Sequence, residues 1–213
     1  GALDNALGVA ITLETARQLR DAKATRKRTL LFVALTAEEQ GLLGAQWFVL
    51  HPPARLVADV NLDMPMLLAP ARDVVPIGAA HSSLQDTLAL AAKAVGVGLS
   101  ADPFPDEAVF VRSDQFAFVR AGVPALYLDG GVVPAASSAG KPADLHTLPK
   151  LAQRDFLRRC YHQPCDDARL PIQYGDAARM ARLEAQLALL LGNAPAPPRW
   201  HPGDFFGTRG ADP

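Results

Sequence analysis

Cysteine is scarce, with only Cys160 and Cys165 in 213 residues. Two thiols are too few for a disulfide scaffold or a four-thiolate zinc site, so counting them leaves the redox compartment open. Long apolar runs are missing as well: the longest, Leu30 to Ala37, is about eight residues, against the roughly 18 to 20 that cross a bilayer. No transmembrane segment is expected. Charge of one sign is lacking too, since 21 Lys+Arg stand against 22 Asp+Glu, and that balance disfavours nucleic acid held by phosphate neutralisation. No methionine or signal peptide precedes Gly1. The chain therefore reads as N-terminally truncated, with any targeting signal upstream.

Several motifs are absent. There is no Gly-x-Ser-x-Gly elbow, no phosphate-binding loop and no His-Glu-x-x-His helix, which excludes the commonest serine hydrolase, nucleotide and single-helix zinc signatures. Gly96 to Ala101 fits a degenerate dinucleotide pattern, but it follows a helical stretch and precedes none, so the required strand-turn-helix context fails. Ser113 reads as a helix start rather than a nucleophile.

What is present is an ordinary globular composition, 49% hydrophobic and 20% charged, long enough for one large domain. Val9, Leu13, Ala16 and Leu19 recur at helical spacing behind the N-cap residues Asp4 and Asn5, predicting a helix over 6–22. The apolar run 29–36 predicts a strand buried on both faces. Beyond it the pattern predicts helix 40–50, strands 57–62 and 73–78, helices 83–95 and 113–121, and strand 124–128. A long Gly/Pro/Ala/Ser-rich lid follows over 130–150, then a helix over 149–159 and a last amphipathic helix through Met180, Leu183, Leu187 and Leu190. This alternation predicts an α/β fold: three layers, a mostly parallel mixed central sheet and helices on both faces. Residues 1–192 are expected to form the C-terminal portion of the domain. Residues 193–213 form a proline-rich tail whose Trp200, Phe205 and Phe206 anchor it to the domain, because leaving them in water forgoes ~1.5 to 3 kcal/mol each.

Functional groups of such folds collect at the carboxyl ends of strands, and here those ends are acidic. The 29–36 strand runs into Glu38 and Glu39, the next runs into Asp63, and Asp4 stands at the mouth of the first helix. Helix capping explains Glu38 and Glu39 alone. Carboxylates from three places converging on one edge repel one another unless cations hold them, so metal binding is the better account. His162, in the loop Cys160-Tyr-His-Gln-Pro-Cys-Asp-Asp167, supplies the nitrogen ligand that favours zinc over harder cations.

Five stretches in this order, Gly1-Ala-Leu-Asp-Asn-Ala-Leu-Gly8, Phe32 to Gly44, Asn61-Leu-Asp63, Arg112-Ser-Asp114 and Tyr161-His-Gln-Pro-Cys-Asp166, resemble the motifs of the co-catalytic di-zinc aminopeptidases of metallopeptidase clan MH, family 28. The resemblance implies a zinc exopeptidase-like fold and two zinc ions, with Asp4 bridging them, Asp63 on one, and Glu39 with His162 on the other. It implies Glu38 as general base toward a water shared by the metals, and Tyr161 as donor to the tetrahedral oxyanion. The implied substrate is a peptide or aminoacyl compound with a free N-terminus, and the implied location of bacterial relatives is periplasmic or secreted.

The pattern also departs from the family. The family's further upstream histidine ligand lies before the point where this chain begins, so the Asp63 site is expected to hold one metal weakly or none. Leu7 replaces a small serine and is expected to crowd the metals; Gln115 replaces a histidine and is expected to alter hydrogen bonding around them. Cys160 and Cys165 form a loop disulfide, remain buried thiols, or bind metal. His51, His81, His146 and His201 have no acid partner nearby in sequence and read as surface or capping residues. Two rivals accompany the aminopeptidase: a glutaminyl cyclase-like single-zinc acyltransferase, and a non-catalytic binding module with a degenerate metal site.

Overall fold

The protein is described by a computed structural model covering residues 1–22, 25–135 and 148–209. Its centre is a four-stranded mixed sheet built from β1 (Asp59–Asn61), β2 (Asp73–Ile77), β3 (Gly98–Leu99) and β4 (Ala125–Gly130). The strand order is β1-β4-β2-β3; β1 with β4 and β2 with β3 run parallel, whereas β2 and β4 run antiparallel. The expected mixed sheet with a parallel majority is found.

Side chains alternate across the sheet with period two. Val74, Leu126 and Leu128 face one core, completed by helices α1 (Gly8–Asp21), α3 (Leu84–Val95), α5 (Pro149–Arg159) and α6 (Tyr174–Asn193). Val75, Ile77, Ala125 and Tyr127 face a second core with Phe110 and with Val119 of α4 (Gln115–Arg120). Helix α2 (Leu43–Leu50) leans on α4 through a third, smaller cluster centred on Ala45 and Phe118. Helices thus cover both faces. No helix among the described residues is long and apolar enough to cross a membrane.

Trp200 and Phe206 pack on the second core. The Trp200 indole donates to the Gly122 carbonyl at 3.0 Å, and a short helix α7 (Phe205–Arg209) follows. His81 has no acid close in sequence but finds a distant one: its Nδ1 lies 2.7 Å from Asp204. The two are 123 positions apart in sequence, a distance that local reading does not span. His51 is exposed and stacks on Trp47. His201 is exposed, and its backbone N–H donates to the His81 carbonyl. His146 and most of the expected lid lie outside the described residues.

Two expectations are corrected. Residues 29–36 are not a buried strand: they join no ladder among the described residues, and Leu31, Phe32 and Val33 are exposed. An apolar run becomes a strand only where neighbouring backbones satisfy its N–H and C=O groups. Among the described residues this run's backbone is held near its ends, by the Lys27 and Arg28 amides on the Gly192 carbonyl and by the Thr36 carbonyl accepting from Gly44. Nor do Asp4 and Asn5 cap a helix. They interrupt a wide turn, Ala2–Leu7, with Asp4 at φ −106 and ψ 95, because the residues around them are bound to other segments, as described next.

Candidate metal centre

Four loops deliver the acids and the imidazole. The first is the turn that carries Asp4. Its backbone is gripped by Asp166, which accepts the Leu3 amide at 2.7 Å and the Asp4 amide at 2.9 Å. Asn5 grips the second loop: its Nδ2 donates to the Leu62 carbonyl and its Oδ1 accepts the Met64 amide, both at 3.0 Å. The residue clamped between them is Asp63. Gly8 is required here, since a Cβ at that position would lie 2.2 Å from Asn5 Oδ1 and 2.7 Å from the Leu62 carbonyl oxygen.

The third loop carries Glu38 and Glu39 in a 3₁₀ turn, Glu38–Gln40. Ala37 and Leu42 on either side adopt left-handed geometry, φ 57 and 60, a costly conformation for residues with a Cβ and one concentrated at functional sites. Gly44 lets the chain double back, for a Cβ there would meet the Thr36 carbonyl oxygen at 2.4 Å.

His162 closes the site from the loop after α5. It also holds a left-handed φ of 56, inside a loop closed by a disulfide between Cys160 and Cys165. The structure thus selects the disulfide among the three readings of this pair.

His162 Nε2 lies 3.3 Å from Asp4 Oδ2 and 3.0 Å from Glu39 Oε1. One ligand atom from each of Asp4, Glu39 and His162 lies within 4.8 Å of the others. An imidazole nitrogen with carboxylate oxygens at this spacing is a donor set that fits zinc. Asp63 does not belong to that trio. Its carboxylate accepts from Ser113 Oγ at 2.6 Å, its carbonyl accepts from the Tyr127 phenol, and its charge still reaches Asp4 and Glu38.

The electrostatics follow from packing acids together. Burial, then Asp63 and Glu39, push the Asp4 carboxyl up, with His162 opposing. Burial, then Asp63, Glu39, Asp114 and Asp4, push Glu38 up to about 7. Asp114 rises to about 6 through burial and Asp63. Asp63 is raised by burial and relieved by the Ser113 hydrogen bond. A divalent cation among these groups offsets the repulsion that raises them. Tyr161 packs against His162 with ring centroids 3.8 Å apart and the rings tilted by 34°; burial raises its phenol and Arg112 opposes.

Leu7 corrects an expectation: it is buried in the first core and does not crowd the acids. The sequence offers Asn5 as a helix cap and Ser113 as a helix start, and assigns Asp166 nothing. All three stand inside the five motif stretches, but nothing in their spacing reveals what they bind.

The family model described as Peptidase family M28 matches residues 1–188. Probable zinc metalloproteases of Pyrenophora tritici-repentis (strain Pt-1C-BFP) and Pyrenophora teres f. teres (strain 0-1) are each 46% identical over 67 residues, 30% of this chain and 15% and 14% of theirs. Among solved structures, the aminopeptidase from Aneurinibacillus sp. strain AM-1 is similar in fold, with a TM-score of 0.61, 23% identity, and coverage of 96% of this chain and 43% of that one. A peptidase M28 precursor from Shewanella amazonensis SB2B gives a TM-score of 0.58, 21% identity, and coverage of 95% and 39%. The chain therefore spans less than half the length of each of these relatives.

Proposed function

The chain belongs to peptidase family M28, and from that premise we propose that it is the zinc-binding part of an aminopeptidase, removing residues from peptides with a free N-terminus. The observation that carries this reading is the meeting of Asp4, Glu39 and His162 within 4.8 Å beside Glu38. In this reading Asp4, Glu39 and His162 would hold one zinc, and Asp63 with Asp4 would offer ligands to a second. Bound zinc lowers the pKa of water and polarises a scissile carbonyl.

The chain's own residues supply the rest. Glu38, next to Glu39 in the chain but outside the ligand trio, serves as the base, taking the proton of the attacking water and passing it to the leaving amine. The Tyr161 phenol, a hydrogen-bond donor beside His162, donates to the carbonyl oxygen as negative charge develops there. The acidic cluster attracts the substrate's N-terminal ammonium, which favours cleavage at the first bond. The Cys160–Cys165 disulfide supports an oxidising, periplasmic or secreted setting.

Glu38→Gln tests the assignment. Zinc content should stay at the wild-type level while hydrolysis of aminoacyl anilides falls by about 10² to 10⁴-fold; retained turnover removes Glu38 as the base. N-terminal acetylation of the same substrate should abolish cleavage, and unimpaired cleavage argues for an endopeptidase. The close trio of Asp4, Glu39 and His162 also suits a one-zinc, glutaminyl cyclase-like site. One tightly held zinc together with cyclisation of N-terminal glutamine selects that reading instead.

A further inference from the structure

Gln115 is wholly buried, three elements' worth of chain meet at it, and no chemistry described so far uses it. Its Nε2 lies 3.0 Å from the carbonyl oxygens of Val109 and of Phe110. Carbonyls only accept, so both amide hydrogens of Gln115 are committed to them. Its Oε1 is left as an acceptor, and Asn61 Nδ2 donates to it at 2.7 Å. That fixes which way the Asn61 amide faces. The second Asn61 hydrogen then goes to Ser113 Oγ at 3.0 Å. The Ser113 hydroxyl, already accepting, turns its one proton to Asp63 Oδ2 at 2.6 Å. Every donor direction in this chain follows from the two carbonyls at its far end.

We infer that Gln115 is a positioning residue which, acting through Asn61 and Ser113, keeps one oxygen of Asp63 occupied by a hydroxyl proton and orients the other toward a metal. The inference rests on the zinc reading above. Groups that orient ligands in this way typically carry about 10 to 100-fold in metal affinity. A ring or an aliphatic side chain at position 115 does not offer two donors and one acceptor in this arrangement. The polarity is therefore a property of the glutamine.

The test is a double-mutant cycle on the affinity for the second zinc, the one Asp63 would take, read by competition with a chromophoric chelator on the whole chain with the first site already loaded. Gln115→Met should weaken zinc binding about 10-fold in the wild-type background and less than about 2-fold when Ser113→Ala is already present, because the hydroxyl through which it acts is gone. An equal loss in both backgrounds means that Gln115 only supports the local structure, and overturns the inference. Asn61→Ala in the same cycle gives the same decision should Gln115→Met fail to fold. In metal-free protein the Asn61 side-chain amide protons should exchange slowly, and fast in Gln115→Met; equal rates also overturn it. A wild-type chain that takes up no zinc overturns the metal reading and the role of Gln115 with it. Zinc uptake by Gln115→Met as tight as the wild type overturns the inference alone.

Discussion

Glu184 is a carboxyl inside the helical layer, and its protonation is tied to folding. It accepts a hydrogen bond from Thr15 Oγ1 at 2.8 Å, yet burial outweighs that bond and pushes its pKa from 4.5 up to about 7. The folded form thus holds the proton more tightly than the unfolded chain does. Its contribution is fully present below about pH 4.5 and is lost as pH rises through about 7, a swing of about 3 kcal/mol at 1.36 kcal/mol per pKa unit. Asp59 and Asp129, each pushed up to about 7 by burial first, act with the same sign. Glu184→Gln removes one ionisable group while keeping its shape. Urea unfolding at pH 8 should show the variant more stable by about 3 kcal/mol, and the two proteins should match near pH 4.5. Equal stability at pH 8 would mean that Glu184 ionises without penalty in the folded protein.

At the scale of elements, the loop that carries His162 is short, and its closure by the Cys160–Cys165 disulfide limits what the unfolded chain explores. Replacing both cysteines by serine should cost about 2 kcal/mol of stability by loop-closure entropy. Because His162 sits at φ 56 within that loop, loosening it should also weaken zinc binding, by about 10-fold. Chelator competition on oxidised and double-serine protein measures this; unchanged affinity would mean that packing against Tyr161 alone holds the imidazole. The helices at 84–95, 149–159 and 174–193 were legible because each repeats apolar residues at helical spacing over several turns. So were β1, β2 and β4, and so was the gathering of acids where the chain leaves them. Residues 29–36 misled because a run's composition does not say which backbone pairs with it. The clamps were invisible for a related reason. Asn5 reaches Leu62 across 57 positions and Asp166 reaches Asp4 across 162, and a single sequence carries no record of such partners.

For the molecule as a whole, the uneven feature is where apolar surface meets water. Leu43, Trp47 and Leu50 repeat at i, i+4 and i+7 on α2 and are 52%, 62% and 75% exposed, so they form one helix face. Leu31, Phe32 and Val33 are exposed as well, in a run with no ladder partner among the described residues. Exposed apolar side chains beside unpaired, strand-prone backbone favour association between copies. The sequence pI of about 6.6 leaves little net charge near neutrality to oppose it. Trp47→Lys with Leu50→Lys should therefore lower the concentration dependence of light scattering at pH 7. The folding free energy should change by no more than about 0.5 kcal/mol, as for substitutions at exposed positions. A loss of several kcal/mol would instead mean that these side chains are buried in the solution state. Phe32→Lys separates the two surfaces: if the run and the α2 face contribute independently, its effect on scattering adds to that of the α2 pair, and if they form one patch, either change alone suffices.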